Sequence, residues 1–187
     1  MLNIKNRLIL FFSISLLFSC KKSEIVKPEP AFQEQVNLFS KEYRLTVRET
    51  WNIDKITIKK FNKEDSVIYN LGKIFINNIA SDPTNSDRYN ILDAFFHINN
   101  QTIPFKSNLL YIPDGNKGFH ATGLMESSYY IPFLTPVSKE YFSEEYLFLD
   151  KYFFGDNYEM ELTDDKKTWI WKGLNRAVKE IVFSRTK

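Results

Sequence analysis

The sequence predicts a mainly β protein, an antiparallel sandwich or barrel with one or two short helices. Three observations carry that prediction. Apolar residues recur with a period of two through most of the chain, the spacing of half-buried strands. Turn-forming clusters interrupt these runs about every ten residues, as in sandwiches and barrels. Seventeen Phe, ten Tyr and three Trp, with only six Gly and seven Pro, supply a large core and exclude a disordered or collagen-like chain.

The amino terminus stands apart. Lys5 and Arg7 precede an apolar run from Leu8 to Phe18, of signal-sequence length and well short of the roughly 20 residues a spanning helix needs. Ser19 and Cys20 follow, then Lys21 and Lys22, and Cys20 is the chain's only cysteine. Leu17-Phe18-Ser19-Cys20 resembles the lipobox of bacterial lipoproteins. The resemblance implies cleavage before Cys20, acylation of its thiol, and anchoring through membrane lipid in the bacterial cell envelope, at the outer membrane. Two acyl chains already hold stably, since each buried CH₂ contributes about 0.8 kcal/mol. Residues 1–19 are therefore expected to be a signal peptide and residues 20–42 a lipidated tether ending in a short helix. Residues 43–187 form the expected domain. Without Lys5 and Arg7 the mature chain carries 23 basic residues against 23 acidic ones. A neutral chain offers no basic face for nucleic acid.

The elements follow in order. Phe32, Val36 and Phe39, spaced by four and three, suggest the short helix. Leu45, Val47 and Trp51 alternate with Thr46, Arg48 and Thr50 and predict the first strand. Ile56 and Ile58 continue it in the opposite parity, so a bulge or tight turn must lie near Ile53–Lys55. Ser66–Asn70 and Lys73–Asn77 read as strands around a turn or bulge at Leu71-Gly72. Tyr89–Ile98 mixes a helical stripe with β-formers, and the strand reading is preferred. Asn108–Ile112 and Phe119–Met125 flank a hairpin loop at Pro113-Asp-Gly-Asn-Lys-Gly118, and Ser128–Phe133 is a further strand. Ser138 is the expected N-cap of a second helix over residues 138–147. Tyr158–Leu162 and Thr168–Trp171 form a hairpin across Thr163–Lys167, and Gly173-Leu-Asn175 turns the chain into Ala177–Phe183.

Catalytic chemistry has little to stand on. His97 and His120 are the only histidines and lack metal-ligand spacing, so no metal or cofactor is expected. No G-x-S-x-G elbow, Gly-rich phosphate loop or catalytic thiol occurs. Glu144-Glu145 reads as a solvated helix face and Asp164-Asp165 as a hairpin loop. The chain is expected not to be an enzyme.

Trp51-Asn-Ile-Asp-Lys-Ile-Thr-Ile58, Gly72-Lys-Ile-Phe-Ile76 and Glu180-Ile-Val-Phe-Ser-Arg185 resemble the lipocalin-like domains of small bacterial lipoproteins. The resemblance implies an up-and-down barrel, with Trp51 packed at its closed end and a basic residue, Arg176 or Arg185, over the indole. An eight-stranded barrel has room for packed side chains or one small ligand. Alternation nominates Ile56, Ile58, Phe75, Phe95, Tyr111 and Trp169 to line such a space around a small apolar molecule. A competing reading is an interaction module that binds a glycan or a protein through the aromatic stretch 129–158.

Overall fold

The computed structural model describes residues 31–81, 89–114, 118–128 and 142–186. Helix α1 (Phe32–Val47) leads into strand β1 (Thr50–Ile58). Four strands follow, β2 (Ser66–Ser81), β3 (Tyr89–Ile98), β4 (Gln101–Asp114) and β5 (Gly118–Ser127). Helix α2 (Glu144–Tyr152) then precedes β6 (Asn157–Leu162), β7 (Thr168–Gly173) and β8 (Val178–Arg185). Each strand pairs antiparallel with the next and β8 closes on β1, giving an up-and-down eight-stranded barrel consistent with a lipocalin-like fold. Closure pairs every strand on both sides, which removes most of the free sheet edge. Ala31–Lys187 is one compact unit and contains all the strands and helices of the described residues and their buried core.

Alternation sets the inner wall. Trp51 and Ile53 on β1 point inward, the register shifts between Ile53 and Lys55, and Ile56 and Ile58 then point inward too. The parity slip in the sequence is thus a bulge, the extra residue that lets one strand keep a single apolar face. Opposite it, Ser66–Ser81 runs as one strand where the sequence suggested two. Asn70, at φ 53°, and Gly72 absorb the irregularity inside the strand. Gly72 is required there because a Cβ would sit 2.2 Å from the His97 carbonyl oxygen of β3.

Several expectations change at the amino-terminal side. Leu45 and Val47 belong to α1, not to a strand, and Phe32–Glu42 belongs to the same helix. Val36, Ser40, Tyr43 and Val47 form its buried face at spacings of four, three and four, whereas Leu45 is 69% exposed. Alternation over three residues is too short a pattern to outweigh the longer helical stripe. Helix α2 begins later than expected. Its cap is Ser143, whose hydroxyl accepts from the Tyr146 amide at 3.2 Å. Ser138, the strand expected at Ser128–Phe133, Cys20 and the signal segment lie wholly or mostly outside the described residues. Tyr89–Ile98 is a strand, as preferred.

Aromatic rings fill the barrel from end to end. Trp51 contacts Trp169, Trp169 contacts Trp171, and Trp171 meets Phe105, Tyr158 and Phe183 at centroid separations of 4.7–6.4 Å. Phe105 stacks on Phe96, which meets Phe153 and Phe154 beyond α2. Such rings bury large areas and add pairwise energies of about 0.5–1.5 kcal/mol.

Candidate functional site

The two ends of the barrel can be built from the strand directions. β1 starts and β8 finishes at one end, here the base, where α1 precedes the barrel; the β1–β2, β3–β4, β5–β6 and β7–β8 connections lie at the other, the top. At the base, Trp51 donates its indole N–H to the Val47 carbonyl at 3.0 Å, fixing α1 to β1. Arg185 lies over the Trp51 ring at 5.5 Å, its Nε is 3.1 Å from Glu49, and it donates to the Thr46 carbonyl at 2.8 Å. The basic residue over the tryptophan is therefore Arg185. Arg176, the other candidate, sits at the top and donates to the carbonyls of Asp150 and Phe154 beside α2.

The candidate lining residues divide. Ile56, Ile58, Tyr111 and Trp169 are buried on the inner wall. Phe75 and Phe95 are not: they pair across β2 and β3 on the outer face, where Phe75 is 40% exposed. Inside, their places are taken by the neighbours Ile74, Ile76, Ala94 and Phe96. Of the aromatic stretch 129–158, Tyr146, Phe153, Phe154 and Tyr158 are buried, Phe142, Phe148 and Tyr152 half-buried, and residues 129–141 are outside the described set. The described rings of that stretch close the top; they do not form an exposed platform.

The open space lies elsewhere. β5 and β6 pair over only four positions, Ala121–Leu124 with Asn157–Met160, whereas β4 and β5 pair over ten. Toward the top the seam is continued by Met125 and Gly155–Asp156 backbone hydrogen bonds of 3.0 and 2.7 Å. Toward the base the two strands part, and α1 lies beside the opening. The result is a cleft of about 830 Å³, within the range of small-molecule sites. Phe39 and Tyr43 from α1, Phe119 from β5, and Met160 and Leu162 from β6 give it an apolar floor. Glu42, Asp114, Glu161, Asp164 and Lys166 stand around it, with Glu42 paired to Lys166 and Glu161 to Lys172. His120 also lines the cleft, and its buried Nδ1 has no hydrogen-bond partner.

The wall behind the floor is built of packed aromatic rings. Tyr43 packs on Phe39, Tyr111 and Trp169, and its hydroxyl accepts from the Trp169 indole N–H at 3.0 Å. Burial pushes the Tyr43 phenol well above its ordinary value, with Tyr111 adding to the rise and the Trp169 hydrogen bond opposing it. Burial also pushes Tyr111 up to about 12, with the nearby Ser40 hydroxyl and the Arg44 charge opposing the rise. Both phenols are thus neutral and serve as apolar surface with a polar tip.

None of the six nominated residues lines this cleft; Tyr111 and Trp169 stand immediately behind Tyr43. Phe39 was visible in the sequence on its helical stripe, and Tyr43 falls four residues on, so extending that stripe would have found it. Nothing local marks the parting of β5 and β6. Among the described residues no group of three or more His, Cys, Asp and Glu is arranged to hold a metal ion. No protein-family model matches the chain, and comparison with curated proteins and with solved structures finds no match.

Proposed function

We propose that this chain is a lipid-anchored protein of the bacterial cell envelope, held at the outer membrane through acylated Cys20. Its barrel binds a small, largely apolar molecule and catalyses no reaction. The ligand's seat is the basal cleft beside α1, not the barrel axis. The observation that carries this reading is the cleft of about 830 Å³ where β5 and β6 part, floored by Phe39, Tyr43, Phe119, Met160 and Leu162. A body that covers these side chains gains roughly 25 cal/mol per Å² of apolar surface removed from water. The unpartnered His120 Nδ1 and the charged rim call for a ligand with one polar end, because a buried polar atom left unmatched costs about 1–3 kcal/mol.

Native mass spectrometry of protein made in cells tests the reading. A lipid-sized adduct is expected on the native chain and not on Phe119→Ala/Leu162→Ala, which strips the floor. A clean unliganded mass, or an adduct the double variant keeps, refutes the cleft. Incorporation of labelled fatty acid, abolished by Cys20→Ala, tests the anchor separately.

A further inference from the structure

The top of the barrel carries an apolar side chain the fold does not use. Phe61, in the β1–β2 connection, is 93% exposed, the most exposed large apolar side chain among the described residues. The connection turns tightly there, with Asn62 at φ 57°. At its root the Lys59 amide donates to the Ala177 carbonyl at 2.7 Å, which ties it to the β7–β8 connection. On that neighbouring connection Leu174 is 53% exposed. The projecting ring and the leucine therefore stand on two connections at the same end of the barrel, joined through Lys59 and Ala177.

The charge on the first of these connections is one-sided. Lys59, Lys60 and Lys63 are all exposed. Asp65 is engaged by Lys179 at 3.2 Å, so within Lys59–Asp65 three lysines face one remaining acid, Glu64. The acidic first turn of α2, Glu144 and Glu145, stands over the β3–β4 hairpin, where Asn99 donates to Glu145 at 2.7 Å. That hairpin is at the same end but on other strands of the wall.

We propose that this pair of connections docks on an anionic lipid bilayer. Phe61 and Leu174 enter the boundary between headgroups and acyl chains, while the three lysines meet lipid phosphates. A convex tip of two side chains cannot supply the roughly 800 Å² per partner of a standard protein interface. A bilayer yields around such a tip. Apolar side chains flanked by lysines are the usual composition of surfaces that lie at the interface plane. The inference does not depend on the cleft or on Cys20.

Residues 31–187 form the compact unit and contain no cysteine, so neither acyl chain nor signal segment contributes to the measurement. Cosedimentation with vesicles of mixed phosphatidylcholine and phosphatidylglycerol should show binding that weakens as salt rises, with little on pure phosphatidylcholine. Phe61→Ser should weaken it about tenfold or more. Lys59→Gln, Lys60→Gln and Lys63→Gln should each weaken it about fivefold. Leu38→Ser/Leu45→Ser, on the exposed side of α1, should leave it unchanged. An environment-sensitive fluorophore on Glu64→Cys should shift to the blue on the mixed vesicles. All these side chains are exposed, so near-ultraviolet circular dichroism should match the native chain. Absence of binding, binding that Phe61→Ser retains, or binding abolished by the α1 variant overturns the proposal. So does a wild-type chain that ignores vesicles but self-associates through Phe61 in sedimentation velocity.

Discussion

The base and the top of this barrel are each closed by a helix, but the chain delivers the two helices differently. α1 comes before β1, so only its carboxyl end continues into a strand of the wall; the rest is held by side chains, Tyr43 to Trp169 and Ser40 to Asn90. It lies against the base like a flap, and β5 and β6 part beneath it. α2 lies within the β5–β6 connection, its amino end tied to the β3–β4 hairpin by the Asn99–Glu145 hydrogen bond and its carboxyl end leading into β6. Phe153 and Phe154, just past α2, press on Phe96, and the seam beside them is closed by backbone hydrogen bonds. A helix inside the wall plugs; a helix outside it leaves a cleft. The open space therefore lies at the side of the base.

The largest expected effect is at the base. Trp51→Ala removes a fully buried ring, its hydrogen bond to α1 and its contact with Trp169. A loss of about 3–5 kcal/mol is expected in urea unfolding. Hydrogen exchange should speed up in α1 more than in α2. Equal acceleration at the two ends would mean that the helices close the barrel as one unit.

The top has its own latch. Asp156 is fully buried, and its two oxygens accept from the Asn175 and Arg176 amides at 2.9 and 3.0 Å. Gly173 opposite must lack a side chain, since a Cβ would sit 2.1 Å from the Val178 carbonyl oxygen. Asp156→Ala strands two amide donors and should cost about 3 kcal/mol. Asp156→Asn keeps one carbonyl acceptor and should cost about half of that. Loss of exchange protection is expected at Asn175 and Arg176, with α1 unaffected.

Much of this architecture was legible in the sequence. The parity slip at Ile53–Lys55, the β6–β7 hairpin and the strand character of Tyr89–Ile98 are local patterns that burial on one face enforces. Phe75 and Phe95 were misplaced because each has an apolar neighbour, Ile74 or Ile76 and Phe96, so alternation gives no direction there. Arg176 and Arg185 could not be told apart without knowing which end each reaches. The cleft was not legible at all: it depends on where β5 and β6 stop pairing, a contact between segments more than thirty residues apart.

The next effect depends on pH. Tyr111 in the folded barrel ionises at about 12, against about 10 in the unfolded chain. Between these values the folded state holds a proton that the unfolded state has lost, so stability is fully present below pH 10 and falls as pH rises toward 12. The shift corresponds to about 2–3 kcal/mol. Tyr43, also raised, adds to the same slope. Tyr111→Phe should flatten the alkaline limb of a urea-midpoint profile. An unchanged slope would place the alkaline sensitivity away from the base.

The smallest effect separates the two arginines, one at each end. Arg185 uses its flat guanidinium in three ways at once, over Trp51, toward Glu49 and to the Thr46 carbonyl. A lysine ammonium has no plane to lay on the indole and no fork to divide between carboxylate and carbonyl. Arg185→Lys should therefore cost about 1 kcal/mol, from the weakened cation–π contact and a lost hydrogen bond. Arg176 instead donates to carbonyls at the carboxyl end of α2, Asp150 and Phe154, where a point charge serves nearly as well. Arg176→Lys should cost less than Arg185→Lys, a few tenths of a kcal/mol, about the lower limit for a charge at a helix terminus. Equal losses in parallel urea titrations would show that the indole face contributes nothing at the base. The flap would then be held by the Trp51–Val47 hydrogen bond and the packing of Tyr43.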